Sequence, residues 1–205
     1  MLVIPSINVA DFEKARSRVK EAEQFLPQAG WLHLDVWQKS WGNPQEFQCL
    51  KTRLAVEAHL MIPEPEKAVD DWLKAGVSRL IIHLEDLKNL ESLLAKTKMR
   101  SVDVMLAINP KTPVEKLLVY LQVRSFQILA VTPGLSGQKF QPAVLEKIKA
   151  LRQARPEALI EVDGGITPKT AQSAKEAGAD IIVSAAYIFD NPVQNPAASY
   201  QELGL

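Results

Sequence analysis

Cysteine is all but absent: Cys49 is alone among 205 residues, so no internal disulfide can form. Its polar neighbourhood, EFQCLK, has the character of a helix surface or edge, and the thiol reads as inert. Net charge is absent too. The 24 basic and 24 acidic side chains cancel, which argues against a polyanion-binding surface or an acidic tail and points to small molecules rather than nucleic acid as partners. Long apolar runs are also missing. No stretch approaches the roughly 18 consecutive apolar residues of a membrane span. The opening MLVIPSINVADFEKA lacks the basic start and the apolar length of a signal peptide. The expectation is a soluble, cytoplasmic protein with no membrane partner.

What the sequence does contain is alternation. Short apolar runs that favour strands recur along the chain: LVIPSI (2–7), WLHLDV (31–36), AVEAHLM (55–61), RLIIHL (79–84), DVMLAI (103–108), FQILAV (126–131), LIEVD (159–163) and DIIVSA (180–185). Helical segments lie between them, including DFEKARSRVKEAEQFL, EPEKAVDDWLKAG, DLKNLESLLAKT, TPVEKLLVYLQ, QPAVLEKIKALRQA and TPKTAQSAKEAG. The stretch 44–52 has room for only a stub of helix. Thr112-Pro113 and Thr167-Pro168 read as a cap followed by proline at the first helical position, and Gly76 and Gly178 read as helix stops. Eight such units without a linker or low-complexity stretch predict an α/β fold, a single (β/α)8 TIM barrel occupying residues 1–205 as one domain. An open doubly wound sheet is the alternative, but no GxGxxG follows the first strand.

In such a barrel chemistry collects at the carboxyl ends of the strands. All three histidines fall there: His33 with Asp35 at the end of the second strand, His59 at the third and His83 at the fourth, while Asp163 ends the seventh. Side chains alternate along a strand, so His33 and Asp35 share one face, as do Glu57, His59 and Met61, and Glu161 and Asp163. A lone strand histidine is ordinarily a hydrogen-bonded core residue. Two imidazoles and two carboxylates converging from three strands instead suggest a site for one divalent metal ion, Zn, Mn, Fe or Co, rather than an all-oxygen Mg or Ca cage. His83 is open between lining the site, bonding a backbone carbonyl and standing behind a ligand.

Two glycine-rich stretches add a second signal. TPGLSGQKF (132–140) follows the sixth strand, and DGGITP (163–168) follows the seventh and opens a helix. Such loops present backbone N–H groups, and a helix start adds partial positive charge, so together they can hold a phosphate. Either alone would read as a plain turn.

The stretches PSINVADF, LHLDV, EAHLMI, IIHLED, LAINPKTP, VTPGLSGQKFQPAVLEKI and EVDGGI, in this order, resemble the ribulose-phosphate 3-epimerase family nearly end to end. The resemblance implies a metal-dependent isomerase that interconverts D-ribulose 5-phosphate and D-xylulose 5-phosphate in the pentose phosphate pathway. It assigns His33, Asp35, His59 and Asp163 to the metal. It also assigns Asp35 and Asp163 to proton transfer at C3 through a cis-enediolate, Asp35 as base and Asp163 as acid. Ser6 and Met61 match substrate-contacting positions, Gly134, Gly137, Gly164 and Gly165 match parts of the phosphate cradle, and Ala185 and Ala186 stand at the positions of a further phosphate contact.

The departures from the family are local. The family's DVMDGHFVPN is here DVWQKSWGNP, which puts Trp37 in place of a methionine and Gln38-Lys39 in place of Asp-Gly; a further methionine becomes Leu129, and a Gly-Ser pair becomes Ala185-Ala186 with Tyr187 next. Trp37 either dries and flattens the site or occupies substrate space. These changes keep other functions open: an epimerase of a longer ketose phosphate such as allulose 6-phosphate, a metal-holding barrel without turnover, or a phosphosugar lyase. Trp41 and Trp72 are candidate contacts of a homo-oligomer, although a tryptophan in DDWLKAG more commonly packs against the barrel.

Overall fold

The computed structural model describes residues 1–37, 43–133 and 137–204. Its elements alternate as β1 (Leu2–Ile7), α1 (Phe12–Phe25), β2 (Trp31–Trp37), α2 (Pro44–Leu50), β3 (Ala55–Met61), α3 (Val69–Ala75), β4 (Arg79–His83), α4 (Leu90–Lys98) and β5 (Asp103–Ile108), followed by α5 (Glu115–Leu118), β6 (Ser125–Leu129), α6 (Val144–Ala154), β7 (Leu159–Asp163), α7 (Pro168–Ala177), β8 (Ile181–Ser184), α8 (Ala186–Phe189) and α9 (Pro196–Leu203). A single 3₁₀ turn, Pro65–Lys67, precedes α3. The strands lie in sequence order, and β8 returns to pair in parallel with β1, from Leu2 opposite Ile181 to Pro5 opposite Ser184. This is a (β/α)8 barrel.

Two compact units are distinguished along the chain: residues 6–104, and residues 1–5 with 105–205. In the first, α1 starts at an Asp11 cap that accepts from Lys14 N and buries Ala15, Arg18, Val19 and Ala22, the one-sided spacing of an amphipathic helix. Residues 44–50 form the expected stub, capped by Asn43, with Cys49 exposed on it. Trp72 of α3 is fully buried and meets the Phe47 ring at 5.8 Å, so it is a core residue. Gly76 ends α3 in the left-handed region at φ 92°, a conformation that disfavours any side chain.

In the second unit α7 packs Ala171, Ala174 and Ala177 inward, and Gly178 stops it at φ 109°. Thr167 caps it with a reciprocal Thr170 pairing, and Pro168 takes the first helical position, as its sequence suggests. The helix expected over 112–122 is reduced to Glu115–Leu118. Val119 and Leu121 are mostly exposed there, and the chain continues through turns in which Tyr120 N bonds Leu117 O and Val123 N bonds Tyr120 O. β6 ends at Leu129 rather than Val131. Ala130 N still bonds Asp163 O at 2.7 Å, but Ala130 O accepts from Gln141 N, so the returning loop takes over the ladder.

Candidate metal and active site

In the 6–104 unit, strand alternation builds the site. β2 places His33, Asp35 and Trp37 on one face, and β3 does the same for Glu57, His59 and Met61. Register then sets them side by side. His33 lies opposite Glu57, Asp35 opposite His59, and Trp37 opposite Met61, while Glu57 is opposite Arg79 on β4 and Ser6 on β1 is opposite His33. His33, Glu57 and His59 are fully enclosed, Asp35 is 3% exposed, and Trp37 and Met61 are half-buried.

Three donor atoms make a nearly equilateral triangle. His33 Nε2 is 3.3 Å from His59 Nδ1, and each is 3.4 Å from Asp35 Oδ1. These separations are longer than the roughly 2.7–3.2 Å of a good hydrogen bond. They match the edge of a coordination tetrahedron, which is about 3.3 Å for metal–ligand bonds of about 2.0–2.1 Å. Two imidazole nitrogens and a carboxylate oxygen at that spacing fit a divalent transition metal.

The groups around the triangle fix its members. Asp35 Oδ2 accepts from Ser6 Oγ at 2.6 Å, which leaves Oδ1 toward the histidines. Burial pushes the Asp35 carboxyl up, but the attraction of the neighbouring His33 and His59 imidazoles outweighs it and holds the group well below the usual carboxylate range. His33 Nδ1 is 2.8 Å from Glu57 Oε1, and Arg79 Nη1 donates to Glu57 Oε2 at 2.7 Å. His59 Nε2 meets His83 Nε2 at 2.9 Å with the rings stacked, and His83 Nδ1 is 3.3 Å from Glu85 Oε2. Burial lowers the His83 pKa against the opposing pull of Glu85. His83 therefore stands behind His59.

In the other unit, Asp163 ends β7, 9% exposed and opposite Leu129, and Glu161 on the same face accepts from Gln127 Nε2 at 3.0 Å. The glycines after it are structurally required. Gly164 has φ 103° and Gly165 φ 66°; a Cβ would lie 2.4 Å from Val131 Cγ2 at the first and 2.2 Å from the Phe140 backbone nitrogen at the second. The DGG turn and the segment leading to Phe140 thus meet backbone to backbone. Gly137 also has a positive φ, 84°, in open space. Ala185 and Ala186 are half-buried at the start of α8, and the Tyr187 hydroxyl donates to Glu202 of α9 at 2.6 Å, which commits it to helix packing. Gly134, Gln38-Lys39 and Trp41 lie outside the described residues.

Sequence reasoning did not single out Arg79 and Glu85. Their signals were an arginine heading an otherwise apolar strand, RLIIH, and a carboxylate two residues beyond its histidine. No helix among the described residues is long and apolar enough to cross a membrane.

Residues 2–189 match the model of the family described as Ribulose-phosphate 3 epimerase family. The ribulose-phosphate 3-epimerase of Chlamydia muridarum is 34% identical over 203 residues, spanning 92% of this chain and 88% of the relative. That of Synechocystis sp. is 34% identical over 206 residues, with 94% and 89% covered. The cytoplasmic isoform of Oryza sativa subsp. japonica is 33% identical over 201 residues, with 91% and 86% covered. Among solved structures, the 3-hexulose-6-phosphate synthase of Salmonella typhimurium superposes with a TM-score of 0.76 at 14% identity, covering 99% of this chain and 96% of the other. The orotidine 5'-phosphate decarboxylase of Pyrococcus horikoshii OT3 gives 0.71 at 16% identity, with 98% and 97% covered; both share the fold. With the family model spanning most of the chain and the relatives above 30% identity, the chain belongs to the ribulose-phosphate 3-epimerase family of isomerases.

Proposed function

We propose that the chain interconverts D-ribulose 5-phosphate and D-xylulose 5-phosphate by moving the C3 proton between two aspartates through a cis-enediolate of the sugar. The observation that carries this reading is the triangle of His33 Nε2, His59 Nδ1 and Asp35 Oδ1, with sides of 3.3–3.4 Å. In this reading Asp163 is the fourth ligand to one divalent ion, Zn, Mn, Fe or Co, as the likeness to the family implies. The bound ion supplies Lewis acidity toward the sugar's carbonyl and hydroxyl oxygens.

The protein's own groups do the rest. Asp35, held at Oδ2 by Ser6, removes the C3 proton from ribulose 5-phosphate, and Asp163 delivers a proton to the opposite face. Inversion needs both carboxylates, because one base acting alone returns the proton to the side it came from. Trp37 and Met61, cross-strand neighbours one step beyond the Asp35–His59 row, line the sugar side and keep water out. Backbone N–H groups of Gly134, Gly137, Gly164, Gly165, Ala185 and Ala186 hold the phosphate. Residues 1–205 act as one domain, in the cytoplasm and the pentose phosphate pathway. The name of the rice relative supports the location.

The half-buried Trp37 beside Met61 favours a second reading, an epimerase of a longer ketose such as allulose 6-phosphate. The test is kcat/KM for both sugars on protein stripped of metal and reloaded separately with Zn, Mn, Fe(II) and Co. A clear preference for ribulose 5-phosphate supports the first reading. A preference for allulose 6-phosphate replaces it, and no turnover with any metal leaves a barrel without this activity.

A further inference from the structure

Behind the donor triangle, three strands contribute one transverse row. His33 on β2, Glu57 on β3 and Arg79 on β4 are successive cross-strand partners on the same face. Their side chains are joined in that order, His33 Nδ1 to Glu57 Oε1 at 2.8 Å and Glu57 Oε2 to Arg79 Nη1 at 2.7 Å. The Arg79 guanidinium lies 4.6 Å from the Trp31 ring, two residues before His33 on β2. An ion pair at this depth is weak evidence of a contribution to stability, because desolvation offsets most of its attraction.

We infer that Glu57 and Arg79 are positioning residues that set the tautomer of His33 and so present its Nε2 lone pair to the metal. The inference rests on the metal-site reading above. A guanidinium has only donors, so Arg79 claims Glu57 Oε2 and leaves Oε1 to accept. The bond at 2.8 Å then requires hydrogen on His33 Nδ1, which strips it from Nε2. His33 Nε2 is the atom that faces His59 and Asp35. The cation–π seat on Trp31 and the two-oxygen grip on Glu57 also hold the imidazole plane in place.

Glu57→Gln makes a directional test. Arg79 can bond only the amide oxygen, so the amide NH2 turns to His33 and donates to Nδ1, which drives the ring hydrogen onto Nε2. The chain has three histidines, so long-range ¹H–¹⁵N spectra of the metal-free protein resolve each ring. Wild type is expected to show His33 protonated at Nδ1, and Glu57→Gln to show it protonated at Nε2. Zn(II) affinity, measured by competition with a chromogenic chelator, is expected to fall about 10- to 100-fold in Glu57→Gln and in Arg79→Met.

A purely structural pair would lower the melting temperature of the metal-free variants and leave tautomer and affinity unchanged. That result overturns the inference, as does a wild-type His33 protonated at Nε2. If Glu57→Gln does not fold, Arg79→Met and the wild-type spectrum decide. Wild type that binds no divalent ion removes the metal site itself and the inference with it. Normal wild-type binding with unchanged affinity in the variants removes only the positioning role.

Discussion

Asp35 divides its two oxygens between tasks: Oδ2 accepts from Ser6, and Oδ1 faces both imidazoles at 3.4 Å. A carboxylate held from two sides loses little entropy when it meets substrate, which is what a base needs to act along one direction. In the proposed mechanism Asp35→Asn keeps the shape and removes the base. Turnover should fall by about 10²–10⁴-fold with the circular dichroism spectrum unchanged; near-normal turnover would remove Asp35 from the chemistry. The strand pattern made the triangle legible, because His33 and Asp35 at i and i+2 in an apolar run must share a face. The residues behind it were less legible. Whether Arg79 meets Glu57 depends on the register between β3 and β4, and no local pattern in RLIIH states that register. The setting of Tyr187 was illegible for a similar reason: the partner of its hydroxyl, Glu202, comes from α9, 15 residues on.

The α8–α9 contact has its own pH signature at the level of elements. Burial and the bond to Glu202 hold the proton on Tyr187 and push its pKa from 10.0 up to about 12. The folded chain then keeps a proton that the unfolded chain gives up, so this contribution is complete below pH 10 and is lost as pH rises toward 12. Tyr187→Phe should flatten the fall in melting temperature across that window, and a slope equal to that of wild type would contradict the assignment.

The DGG turn gives a second prediction at this scale. Gly165→Ala would force a side chain at φ 66° and put its Cβ 2.2 Å from the Phe140 backbone nitrogen. The positive φ alone costs on the order of 1–3 kcal/mol, so the melting temperature should drop by roughly 2–12 °C; an unchanged value would show that the turn relaxes. Boundaries were legible where caps and stops were local, as at Thr167-Pro168, Gly76 and Gly178. They failed at α5. Its sequence is apolar nearly all round from Leu117 to Leu121, so it offers no single stripe to pack, and the chain turns after one helical turn. Lys147 Nζ secures the preceding loop by donating to the carbonyls of Asn109, Pro110 and Thr112.

For the whole molecule, the repeating order of apolar run and helix was enough to reach eight parallel strands in a closed sequence order. That order is what makes strand-end residues distant in sequence candidates for one site, and family membership gives the candidates a chemistry. The central claim is that this chemistry is proton transfer at C3 by two carboxylates beside a divalent ion. It is tested most directly by proton NMR of D-ribulose 5-phosphate in D2O with the metal-loaded protein. The account predicts that deuterium enters at C3 as D-xylulose 5-phosphate accumulates, and that neither occurs in metal-free protein. Deuterium entering at C3 without xylulose 5-phosphate, or no reaction with Zn, Mn, Fe(II) or Co, would contradict it.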